Sequence, residues 1–60
     1  MLVYLTTNTN KSIAINTKHV IMVEDSVKQG CVKIILVDGG TTEVQGNMLE
    51  IVAQLNNPGY

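Results

Sequence analysis

Arginine, tryptophan and phenylalanine do not occur in this 60-residue sequence, and cysteine, histidine and proline occur once each. With Cys31 alone, no intrachain disulfide framework can form. One histidine, His19, and one cysteine twelve positions later fall short of the roughly four ligands of a closed zinc site. Without arginine there is no bidentate reader of guanine or phosphate. The four lysines, Lys11, Lys18, Lys28 and Lys33, are scattered against five acids, for a net charge of −1. That balance makes nucleic acid an unexpected partner. Tyr4 and Tyr60, the only aromatics, stand at opposite ends and form no stacking platform for bases. No apolar run approaches the roughly 20 residues that span a bilayer, so no membrane association is expected. The opening Met1-Leu2-Val3-Tyr4-Leu5 is shorter than the apolar stretch of a secretory signal and lacks its basic flank. An unpaired cysteine suits a reducing compartment, which points to a cytoplasmic location.

What is present favours a folded chain. Hydrophobic residues make up 45% and charged residues 15%, the reverse of a disordered composition. Sixty residues form a single domain, spanning 1–60. A domain this small buries only about 60% of the surface its unfolded chain exposes and is marginal alone. Natural chains of this size add disulfides, a metal or a second copy of themselves. With the first two lacking their residues, self-association is the remaining staple.

Five strands and one helix are predicted. Residues 2–7 are β-rich and alternate, and Asn8-Thr9-Asn10-Lys11 follows with turn chemistry, since Asn tolerates positive φ. Residues 12–16 alternate cleanly, with Ile13 and Ile15 on one face. Asn16 to His19 is a polar break that reads as a turn. Residues 20–25 form a third strand whose alternation fails, because Val20, Ile21, Met22 and Val23 are all apolar. Gly30 is the expected positive-φ position of the next loop. Residues 31–37 are apolar on both faces. Asp38-Gly39-Gly40 offers two glycines for the positive-φ positions of a tight hairpin into residues 41–45. Asn47 then caps a helix over 48–55, with Glu50 placed as in a capping box. Met48, Ile51, Val52 and Leu55 share one face of it. Asn56-Asn57-Pro58-Gly59 stops it. The expected fold is therefore α+β, mainly β: a five-stranded antiparallel meander with a short C-terminal helix on one face.

A single short helix covers one face of such a sheet. The face with Val3, Leu5, Ile13, Ile15, Val32, Ile34 and Leu36 is assigned to it. The opposite face then shows Leu2, Tyr4, Ala14, Ile21, Val23, Cys31, Ile35 and Val37. Each large aliphatic left in water forgoes about 1.5–3 kcal/mol of burial. Large contiguous apolar patches are uncommon on soluble monomers. An interface through Leu2, Tyr4, Ile21, Val23, Cys31, Ile35 and Val37 is therefore expected, with a second copy in a homodimer as the first candidate partner and another protein as the second. The alternative is a sheet that curls into a small barrel and buries both sets.

No catalytic constellation emerges, and no catalytic, cofactor or metal site is assigned. His19 falls in a polar break. Cys31 starts an apolar strand with no base beside it to activate the thiol. Glu24 and Asp25 are adjacent on a strand, so they point to opposite faces. Asp38-Gly39-Gly40 lacks the spacing of a phosphate-binding loop.

Two resemblances cover most of the chain. Leu5-Thr6, Ile15-Asn16, Val20, Val23, Glu24, Leu36, Gly39, Val44 and Asn47-Met48-Leu49-Glu50-Ile51 resemble the FlbD-type small proteins linked to flagellar and swarming functions. Asn10 stands where that family carries Gly, and the loop over 26–30 is longer. Met1-Leu2, Leu5-Thr6, Val27-Lys28, Val32-Lys33-Ile34, Glu43-Val44 and Glu50-Ile51 are similar to the CsrA carbon-storage regulators, RNA-binding dimers with interleaved strands. That likeness would imply post-transcriptional regulation through RNA. Its RNA-reading arginines correspond to Thr7 and Met48 here. The expectation is a small, non-catalytic, homo-oligomeric interaction, assembly or regulatory protein, of the size carried by phages and plasmids, with CsrA-like RNA binding as the alternative.

Overall fold

The computed structural model describes residues 1–56. Its elements run β1 (Leu2–Thr6), β2 (Ser12–Asn16), a 3-10 turn (Thr17–His19), β3 (Val20–Asp25), β4 (Cys31–Leu36), β5 (Thr41–Gln45) and α1 (Met48–Asn56). The class is α+β and mainly β, with antiparallel strands and one C-terminal helix.

The strands do not form one meander. β1 and β2 make a two-stranded sheet, while β3, β4 and β5 make a three-stranded sheet in that order. The break falls between β2 and β3, where the expected turn is a 3-10 segment. Asn16 caps it, its Oδ1 accepting from Lys18 N at 3.0 Å. Thr17 N donates to Met1 O at 2.9 Å, and Val37 N donates to His19 O at 2.7 Å. These bonds tie the segment to both sheets instead of folding β3 back onto β2.

The loop after β1 joins the sheets at the other end. Thr7 bridges to Val44, and Asn8 N donates to Glu43 O at 3.1 Å. The Gln45 side chain donates to Thr7 O at 3.0 Å and to Asn10 Oδ1 at 2.7 Å. Thr7 is itself buried, and its hydroxyl accepts from Lys11 N at 3.1 Å. Asn10 turns the loop with φ at 67°, as its side chain permits.

The β4–β5 turn uses one positive-φ glycine instead of two. Gly39 has φ at 89°, while Gly40 N donates to Asp38 Oδ1 at 2.8 Å in an Asx turn. β4 therefore ends at Leu36, and Val37 belongs to the turn. Asn47 caps α1 as expected, its Oδ1 accepting from Glu50 N at 2.8 Å. The helix runs to Asn56, and the expected stop at Asn57-Pro58-Gly59 lies outside the described residues.

One core fills the space between the inner faces. β1 and β2 supply Val3, Leu5 and Ile15, the three-stranded sheet supplies Val32, Ile34 and Val44, and α1 supplies Ile51. Ile13, Val20, Val23, Leu36, Met48 and Leu55 pack around this cluster. Gly46 admits the helix to it. Its φ is 131°, and a Cβ there would lie 3.1 Å from Ile51 Cδ1.

Two stability outcomes follow from this packing. Gly46→Ala should destabilise by at least about 1 kcal/mol, since both its backbone conformation and the Ile51 contact oppose a methyl. Thr7→Val, which removes the buried loop acceptor, should cost about 1–3 kcal/mol. Urea titrations of both variants against the parent chain check these values.

Candidate interaction surface

Strand pairing decides which apolar side chains leave the core. β3 pairs with β4 through Val20–Leu36, Met22–Ile35 and Val23–Ile34, with a register shift between Val20 and Met22. The shift is a bulge that holds one extra residue. It lets Ile21 and Met22 face outward in succession and returns Val23 to the inner face. Exposure follows the pattern: Ile21 is 63% and Met22 47% exposed, while Val20 and Val23 are half-buried against the core.

This corrects the expected interface at one position. Val23 packs inward, and Met22 takes its place outside. The four-residue apolar run signals that alternation breaks in β3. Which residue is displaced depends on pairing with β4, which no local property of β3 specifies.

The other expected residues fall into separate groups. Ile35 is half-buried and lies opposite Met22, and Val37 follows two residues on at 63% exposure. Ile21, Met22, Ile35 and Val37 thus form one apolar set on the outer face of the three-stranded sheet. Leu2 and Tyr4, 59% and 76% exposed, belong to the other sheet, where Tyr4 pairs with the exposed Ala14. Cys31 is half-buried at the far end of β4, opposite Gln45 and about 13 Å along the strand from Ile35.

A polar row separates Cys31 from the apolar set. Lys33 pairs across the strands with Glu24 and Glu43. Its Nζ is 3.7 Å from Glu24 Oε1, and Asn8 Nδ2 donates to Glu43 Oε1 at 3.2 Å. Both partners of the ion pair are over a third exposed, so it contributes at most about 1 kcal/mol. The outer face is therefore half apolar and half charged, a division set by the inward placement of Val32 and Ile34 on either side of Lys33.

β3 also borders a groove. A cavity of about 270 Å³ opens between β3 and α1, lined among others by Ile21, Met22, Val23, Val52 and Leu55. Val52, read in sequence as a core position, sits at this rim partly in water. β3 is the outermost strand of its sheet, so one of its edges has no strand beside it among the described residues.

The surface carries little reactive chemistry. His19 is exposed in the 3-10 turn. Among the described residues no three His, Cys, Asp or Glu side chains gather to hold a metal ion, and no helix is long and apolar enough to cross a membrane. Comparison with family models, curated proteins and solved structures returns no match for this chain.

The inside–outside division has a direct check. With the chain dilute enough to be monomeric, Tyr4→Ser should change unfolding free energy by less than about 0.5 kcal/mol. Ile34→Ala should cost about 2–5 kcal/mol, because Ile34 is fully buried.

Proposed function

We propose that this protein is a small non-catalytic interaction protein that associates with itself and acts as an assembly factor or regulator. One observation carries this reading. The bulge in β3 turns two consecutive aliphatic side chains, Ile21 and Met22, to solvent beside Ile35 and Val37. A domain of this size has only a few kcal/mol of net stability. Covering several such side chains contributes on that same scale. A second copy of the chain provides the cover without any other component. The free thiol of Cys31 suits a reducing, cytoplasmic setting for such a protein.

Light scattering at low micromolar concentration tests the reading. The expected mass is twice the 6.5 kDa of one chain. The unfolding midpoint should also rise with protein concentration, as mass action requires for a dimer. A chain that stays monomeric, with a concentration-independent midpoint, contradicts the proposal. A monomer that shifts RNA, with log affinity falling steeply against log salt, would replace it with nucleic-acid regulation.

A further inference from the structure

The self-association proposed above can be placed on one element. We infer that β3 is the seam: its free edge pairs antiparallel with β3 of a second copy about a two-fold axis, joining two three-stranded sheets into one of six strands. An unpaired edge presents a row of backbone donors and acceptors ready to accept another strand. Soluble proteins blunt such edges with lysine, proline or a bulge; Val20–Asp25 contains no lysine or proline, and its bulge lies in the pairing with β4.

Charge selects both the occupant and its direction. Lys18 and His19 lead into β3, and Glu24 and Asp25 end it. Antiparallel pairing of two identical strands sets the basic end of each beside the acidic end of the other, twice per dimer. Parallel pairing sets like beside like. Like charges directly opposite one another destabilise a strand pair, and opposite charges favour it. The edge strand β2 follows Lys11 and ends at Asn16 with no acid, so it lacks this self-complementarity.

The same arrangement brings the outward apolar side chains of the two β3 strands side by side. With the axis beside Met22, that side chain lies on the outer face opposite its own copy. Lys18 and His19, at the end of the 3-10 turn, then adjoin Glu24 and Asp25 of the second chain. The incoming strand lies along the groove between β3 and α1, over Val52 and Leu55. The bulge thereby places Ile21 and Met22 on the outer face beside the seam.

Two sets of variants test this seam apart from self-association in general. In a Cys31→Ser background, Met22→Cys should oxidise to a disulfide-linked dimer as the main species on a non-reducing gel, while Tyr4→Cys should not. Lys18→Glu should weaken dimerisation at low salt roughly fivefold. Adding Asp25→Lys to it should restore most of the loss, because the exchanged charges again adjoin their opposites. A wild-type dimer in which Met22→Cys fails to cross-link, or in which Lys18→Glu leaves the affinity unchanged, overturns the β3 seam and leaves self-association standing. A wild-type chain that is monomeric by light scattering overturns both.

Discussion

Four consecutive aliphatic side chains on an edge strand cannot all reach one core, and the bulge between Val20 and Met22 decides which two are left outside. The rest of the surface depends on that choice. A regular strand would send Val20 and Met22 inward and Ile21 and Val23 outward. The extra residue instead keeps Val20 and Val23 on the core and aligns Ile21 and Met22 with Ile35 and Val37. Glu24 is brought onto the same outer face, within reach of Lys33. A single register shift thus sets the apolar half of the sheet and its charged neighbour.

The core it serves is small and closed by polar devices. Seven buried aliphatics from two sheets and one helix meet in one cluster. The sheets are held to each other by the Thr7–Val44 bridge and by the Gln45 side chain reaching into the loop around Asn10. At the opposite end, the 3-10 turn bonds to Met1 on one side and Val37 on the other. Apart from the side-chain bond between Gln45 and Asn10, these contacts satisfy backbone groups that two separate sheets would otherwise leave unpaired. The inner faces are consequently well used, and the remaining aliphatic surface lies outside.

Much of this order is legible in the sequence because local chemistry dictates it. Alternation in β1 and β2 identifies Val3, Leu5 and Ile15 as core. Asn10 marks a positive-φ turn, Gly39 marks the second hairpin, and Asn47 with Glu50 marks the start of the helix. What escapes a sequence reading is set by partners distant in the chain. The division into two sheets rests on bonds from residues 7–10 to residues 43–45 and from His19 to Val37. The inward turn of Val23 rests on its pairing with Ile34. Lys33 interrupts the outer face because its neighbours Val32 and Ile34 both point inward, a consequence visible in the alternation once that strand is read residue by residue. Val37 leaves the strand because Gly40, not a second positive-φ residue, completes the turn.

Together these features describe a minimal scaffold with one finished interior and an open, charge-polarised edge at β3. The finished interior explains how so short a chain holds a defined fold. The open edge, with its basic entry and acidic exit, supplies a reason for two copies to meet in one orientation. Amide hydrogen exchange across Val20–Asp25, followed as protein concentration rises, probes this most directly. The account predicts that exchange of the outward-facing amides slows as copies associate, while the Ser12–Asn16 edge is unaffected. Exchange in β3 that is fast and identical at every concentration would contradict it.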